Sequence, residues 1–218
     1  KYKKLAQLLN DSTENKISYE IKDASLNGLL KPKKGDLYID FEGYPFLTIG
    51  RNFEYLYGIW SNDKNESFTY YWSDDEEEEK NSFVSFIEKL LEHLELYPDA
   101  KFYHYFSYEI SSLKRSAQNF GVYEKELEQL IEKKCFIDLF TIVNSSLLIG
   151  ASSYSLKTVE KLAGINRTED LQSGMESIQY FEDYFFNEEY ELKDLIIEYN
   201  KADCKNLYLL HDWLASLL

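Results

Sequence analysis

Histidine, methionine, cysteine and proline are scarce in this 218-residue chain, at three, one, two and three copies. The two cysteines, Cys135 and Cys204, have no metal-ligand spacing and read as buried thiols of a cytoplasmic protein. Three prolines and nine glycines argue against a linker-rich or disordered chain. No apolar run reaches the length needed to cross a bilayer, and no signal peptide is visible. Walker A, Gly-x-Gly-x-x-Gly, His-Glu-x-x-His and Gly-x-Ser-x-Gly runs are all missing. That excludes a nucleotide-driven motor, a zincin and a serine hydrolase. Positive charge is short as well. Lys and Arg total 24 against 39 Asp and Glu, a net charge of −15. Neutralising phosphates takes Lys and Arg, so this balance argues against strong unaided binding of long DNA or RNA. Part of the excess is local. Asp74-Asp75-Glu76-Glu77-Glu78-Glu79 reads as a solvated acidic run before a helix, where acids suit the helix N-terminus.

Aromatic residues are abundant. Nineteen Tyr and 14 Phe predict an aromatic-rich core, in a length that suits one substantial domain. The chain begins at Lys1, which predicts a piece of a longer polypeptide. Residues 1–30 read as an N-terminal extension, a polar helix and a loop, and residues 31–218 as the main domain. Strand patterns cover 36–42, 53–60 and 66–72, the last two split by the turn-like Ser61-Asn62-Asp63-Lys64-Asn65. Phe83, Phe86, Ile87, Leu90, Leu91 and Leu94 recur at helical spacing. A short strand at 101–105 leads to a helix from Tyr108, then a helix over about 123–133 and a strand at 135–140. Residues 154–163 read as helix, 175–186 as an aromatic segment without a clear period, and the chain from about Tyr190 as a long helix. This order predicts an α/β domain with a ribonuclease H-like mixed sheet, three antiparallel strands leading into parallel ones, flanked by helices.

The chemistry begins at Asp40 and Glu42. In Asp36-Leu37-Tyr38-Ile39-Asp40-Phe41-Glu42-Gly43, side chains two apart share a strand face. Leu37, Ile39 and Phe41 point one way; Tyr38, Asp40 and Glu42 point the other. Adjacent carboxylates on a covered face repel and lose hydration, a conflict that metal ions remove; on an edge strand the same pattern is simply a solvated face. In the last helix Leu192, Leu195, Ile196, Tyr199, Leu207 and Leu210 form an apolar stripe that includes Asp203. A carboxylate there needs water, a partner, a proton or a metal. Glu109 opens the helix after His104-Tyr105-Phe106-Ser107-Tyr108, on the face of Leu113 and Ala117. It suits the helix dipole, and equally a hard-oxygen site for magnesium or manganese. Asp138, flanked by apolar residues, reads as a structural hydrogen-bonding group or an auxiliary metal group. His104 reads as packed under its loop. Lys114, Arg115 and Lys157 are candidate phosphate contacts. His93 and His211 read as ordinary residues at the surface or margin of helices.

Acid-x-acid on a first strand, His-x-x-x-aromatic-acid, and Tyr-x-x-x-Asp on a late helix together resemble the DEDD family of 3′–5′ exonucleases, which have the ribonuclease H-like fold. Asp40 and Glu42 match its first motif. Tyr108-Glu109 stands where the family has an aromatic residue and Asp. Tyr199 and Asp203 match the third motif and its tyrosine branch, since Glu198 holds the position of the other branch's histidine. A closer resemblance runs over most of residues 25–218. Residues 36–46, Tyr103-His104-Tyr105, Ile137-Asp138-Leu139, Ser153-Tyr154-Ser155-Leu156-Lys157 and Tyr199-Asn200-Lys201-Ala202-Asp203-Cys204 resemble the ribonuclease H-like domain found inside predicted RecB-family nuclease proteins. That group shares the Glu at the position of Glu109.

These resemblances imply a phosphodiesterase that works from 3′ ends with two Mg2+ or Mn2+ ions. Asp40, Glu42 and Asp203 would hold one ion, Asp40 and Glu109 would serve the other, Tyr199 would orient the attacking water, and His104, where it does not simply pack under its loop, would bond the 3′ end. They imply single-stranded DNA as substrate, RecB-like nuclease and helicase regions in the same polypeptide, a role in DNA processing and repair, and no membrane partner. The alternatives are a catalytically weak module that binds nucleic-acid ends or acts as a scaffold, favoured by the net charge and Glu109, and an RNA exonuclease.

Overall fold

The computed structural model describes residues 2–12, 17–22, 29–48, 51–62, 67–167 and 174–218. Most of the expected turn at 61–65 lies outside them. The chain opens with α1 (Tyr2–Asp11) and a short β1 (Tyr19–Ile21). Three longer strands follow: β2 (Leu37–Thr48), β3 (Arg51–Ser61) and β4 (Ser67–Trp72). Then come α2 (Glu76–Leu96), β5 (Phe102–His104), α3 (Tyr108–Phe120), α4 (Glu124–Glu132) and β6 (Phe136–Asp138). The rest is α5 (Leu139–Ser146), β7 (Leu147–Ile149), α6 (Leu156–Ala163), α7 (Gly174–Asn187) and α8 (Leu192–Ser216).

The main sheet has the order β4-β3-β2-β5-β6. β2, β3 and β4 pair antiparallel; β5 and β6 join β2 in parallel. This is the expected α/β layout, and it makes β2 the middle strand. The alternation along β2 then decides what each face touches. Leu37, Ile39 and Phe41 pack with Tyr57 and Ile59 against Phe83, Phe86 and Leu90 of α2 and Leu113 of α3. On the opposite face Tyr38, Trp60 and Tyr103 meet Leu207, Leu210 and Leu214 of α8. The aromatic segment near 175–186 is a helix, α7. Its Phe181 stacks on Tyr55 with centroids 4.0 Å apart and packs with Tyr44, Phe53 and Ile196. Among the described residues no helix is long and apolar enough to cross a membrane.

Some expectations need correction. The strand expected over 135–140 stops at Asp138, because the Asp138 carboxylate accepts the Phe140 N–H at 2.9 Å and starts α5 at Leu139. The acidic run is not wholly solvated. Glu79 is buried, held by two bonds from Arg51 Nη1 (2.9 and 2.7 Å) and one from the Glu54 N–H (2.9 Å). His93 and His211 are interior residues that bond the Gly35 and Leu30 carbonyls, each at 2.6 Å. Residues 19–21 pair antiparallel with β7, so the N-terminal segment adds a strand to a two-stranded sheet of its own.

Candidate metal centre

Asp40 and Glu42 lie on the β2 face that α8 covers. Asp203 comes from α8, on the same stripe as Tyr199 and Leu207. The three residues each offer a carboxylate oxygen, and these oxygens all lie within 4.8 Å of one another. Glu42 and Asp203 are buried and Asp40 is half-buried.

The strand and the helix are locked together at this point. Asn200 of α8 donates through Nδ2 to Asp40 Oδ2 at 2.8 Å and to the Asp40 carbonyl at 3.1 Å. Across the β2–β3 ladder Asp40 pairs with Gly58, and a Cβ there would overlap the Asn200 side-chain oxygen. Glycine lets α8 come close enough for Asn200 to reach β2. Glu42 is hydrogen-bonded by Ser177 of α7, whose hydroxyl is 2.9 Å from that of Tyr55.

Glu109 occupies the first turn of α3 and is buried. It is outside the group of three, yet its charge acts on both Asp40 and Glu42. His104 Nδ1 lies 3.4 Å from Glu109 Oε2 but forms its hydrogen bond with the Phe106 carbonyl at 2.7 Å. Glu109 Oε2 is therefore buried without a hydrogen-bond partner. An orphaned buried carboxylate oxygen beside three crowded carboxylates is a donor set that fits a hard divalent cation.

Burial raises all four carboxyl pKa values. Asp40 is pushed well up by lost hydration, then by the charges of Asp203, Glu42 and Glu109. Glu42 rises to about 8, by lost hydration and then Asp203. Asp203 rises through burial although Arg167 opposes the shift, and Glu109 rises through burial although His104 opposes it. Tyr199 is buried beside the cluster, with Lys157 Nζ 4.9 Å from its ring centre and the Arg167 guanidinium 5.6 Å away. Burial and the charges of Asp203, Glu42 and Asp40 push its hydroxyl well above its usual pKa, so it keeps its proton at neutral pH.

The other candidates separate. Asp138 accepts the Phe106 N–H, the Phe140 N–H and the Thr141 hydroxyl at 3.0, 2.9 and 2.7 Å. Those bonds fix the loop before Glu109, whose Phe106 has φ 71°. Arg115 pairs with buried Glu54 at 3.0 Å. Lys114 is exposed in the cleft between α3 and α4, with Glu124 and Glu128. Lys157 acts on the charges of Glu42 and Asp203.

Asn200, Arg167, Glu160 and Gly58 escaped the sequence reading. Glu160 and Asn200 carried a signal. Each lies four residues after an apolar residue of its helix stripe, Leu156 and Ile196, the pattern that singled out Asp203.

Among protein-family models, residues 37–215 match one described as the RNase_H superfamily. Comparison with curated proteins and with solved structures found no match.

Proposed function

The chain belongs to the RNase_H superfamily, and from that premise we propose that it is a 3′–5′ exonuclease that releases nucleoside 5′-monophosphates from single-stranded DNA. Membership of the superfamily and the three clustered carboxylates support a metal-dependent nuclease acting on nucleic acid. The observation that carries the finer reading is the meeting of Asp40 and Glu42 with Asp203 of a Tyr-x-x-x-Asp helix, oxygens within 4.8 Å. Asp40, Glu42 and Asp203 would hold one Mg2+ or Mn2+ ion, and Asp40 with Glu109 a second. Bound ions would supply an acidified water and neutralise charge gathering on the phosphate.

The protein's own groups do the rest. Asn200 fixes the Asp40 carboxylate before any ligand arrives, so the cluster needs little reorganisation. The Tyr199 hydroxyl, held protonated, can donate to the attacking water or to a phosphate oxygen but cannot remove a proton at neutral pH. Lys157, whose Nζ lies 4.9 Å from the Tyr199 ring centre, would offer positive charge to an approaching phosphate. RecB-like nuclease and helicase regions in the same polypeptide would deliver single-stranded ends and offset the domain's net charge of −15.

One observation favours a second reading, a weak end-binding module. Glu109, the proposed ligand of the second ion, is outside the group of three, and its Oε2 lies 3.4 Å from His104 Nδ1. Incubating the protein and Asp40→Asn with Mn2+ and 5′-labelled single-stranded DNA or RNA separates the readings. Stepwise shortening of DNA from the 3′ end by the wild type alone is the expected result. Binding without shortening would replace the exonuclease with the end-binding module, and preferential shortening of RNA would replace DNA as substrate.

A further inference from the structure

Arg167 follows α6 in a segment without regular structure, yet its side chain is only 8% exposed. Its Nε donates to Glu160 Oε2 at 2.7 Å and its Nη2 to Glu160 Oε1 at 2.6 Å. The same Nη2 also donates to Asp203 Oδ1. Glu160 is buried in its own right and takes a further bond from Asn206 Nδ2 at 3.0 Å. The two-pronged pairing with Glu160 fixes the guanidinium plane. Arg167 and Glu160 cancel each other's charge and would be a complete pair without Asp203.

The contact with Asp203 therefore needs its own explanation. Asp203 is one of three carboxylates whose oxygens crowd together, and like charges at such range disfavour one another in a buried site. A guanidinium touching one of them relieves part of that repulsion. It would also oppose a divalent cation in two ways. It occupies an oxygen lone pair, and it places positive charge in direct contact with a ligand where water screens poorly. Arg167 Nη1 is buried with no hydrogen-bond partner, so the guanidinium is not positioned by a full set of its own bonds; it is held by the acids.

We propose that Arg167 is an internal counter-ion of the carboxylate cluster and that it competes with a divalent cation for Asp203. The proposal rests on the reading of Asp40, Glu42 and Asp203 as a metal centre. It makes Arg167 a positioning residue that sets metal affinity: it steadies the acids when they are empty and weakens their hold on the ion.

Mn2+ affinity of the full chain, measured by isothermal titration calorimetry and by the electron paramagnetic resonance of unbound Mn2+, tests this. The informative variant is Glu160→Leu with Arg167→Met. Replacing a buried ion pair as a unit by apolar side chains is commonly tolerated, whereas Arg167→Met alone would leave Glu160 buried and unpaired. Loss of one charge-assisted contact corresponds to Mn2+ binding at least about tenfold tighter in the double variant. Arg167→Lys keeps a charge but cannot hold two carboxylates in the same geometry, and should fall between the double variant and wild type. Equal or weaker Mn2+ binding in the double variant overturns the proposal and leaves the metal centre standing. If circular dichroism shows that the double variant does not fold, Arg167→Lys decides alone: tighter binding supports competition, and equal or weaker binding overturns it. Failure of the wild type and every folded variant to bind Mn2+ removes the metal centre itself, and the counter-ion role with it.

Discussion

Asn200 Nδ2 holds Asp40 twice, through the carboxylate at 2.8 Å and the backbone carbonyl at 3.1 Å. One side chain of α8 thus fixes both the position of the middle strand and the orientation of its acid. Groups that orient metal ligands in this way typically contribute 10- to 100-fold to metal affinity. Asn200→Ala is accordingly expected to weaken Mn2+ binding by about 10–100-fold with its circular dichroism spectrum preserved. Unchanged affinity in a calorimetric titration would mean that Asp40 is oriented without Asn200.

Gly58 is the space that makes this contact possible. In Gly58→Ala the new methyl group would overlap the Asn200 amide and stand 3.0 Å from Cys204 Sγ. Both neighbours are buried on α8, so the helix or the strand must move. Overpacking of this kind commonly costs about 1–3 kcal/mol. Urea unfolding should show a loss in that range together with weaker Mn2+ binding. A variant as stable as wild type, with its Mn2+ affinity intact, would show that the contact between α8 and β3 is looser than this geometry requires.

The frame of the site was legible because it is periodic. Alternation along residues 37–42 placed Leu37, Ile39 and Phe41 against α2 and left Tyr38, Asp40 and Glu42 for α8. Asp203 stood out as an acid on an apolar stripe. Period alone could not resolve α5, because Asp138 ends one element and caps the next within a single residue. Nor could it find Arg167. That residue lies in no periodic element, and its partners come from α6 and α8, so only the tertiary fold brings them together. The burial of Glu79 is hidden from the sequence for a similar reason. Its neighbours in sequence are acids at a helix start, while its neighbours in space are Arg51 and the Glu54 N–H of β3.

Tyr199→Phe removes one hydroxyl from the edge of the cluster. The ring remains to pack against Lys157 and Arg167 at 4.9 and 5.6 Å, so fold and Mn2+ affinity should stay near wild type. Positioned donors contribute about 10²–10⁴-fold to rate, and under the proposed exonuclease mechanism turnover on single-stranded DNA should fall by that order. Full turnover in Tyr199→Phe would exclude the hydroxyl from the reaction. A large loss of stability in thermal melts would make it a structural group instead.

The raised carboxyl pKa values give the metal-free protein a defined response to pH. Glu42 rises from 4.5 to about 8 on folding. Between those values the folded state keeps a proton that the unfolded state has released. The stability this group contributes is therefore present below about pH 4.5 and is lost as pH climbs towards about 8. Asp40, Asp203 and Glu109 shift in the same direction and add to the trend. Metal binding should run the other way, because the carboxylates must be deprotonated to serve as ligands. With chelator present, the melting temperature of the wild type should fall from about pH 5 to about pH 8, and the gain on adding Mn2+ should widen over the same range. Glu42→Gln carries no titrating group at this position and keeps nearly the same shape. Its metal-free melting temperature should fall less steeply than that of the wild type, and its gain with Mn2+ should be small throughout. The comparison isolates Glu42 from the background of a chain with net charge −15, which both proteins share apart from this one group. If the chelated wild type and Glu42→Gln fall in parallel across this range, Glu42 is not the buried, proton-holding carboxyl described here. If they diverge and the Mn2+ gain still does not widen, the proton is real but the acid is not a metal ligand.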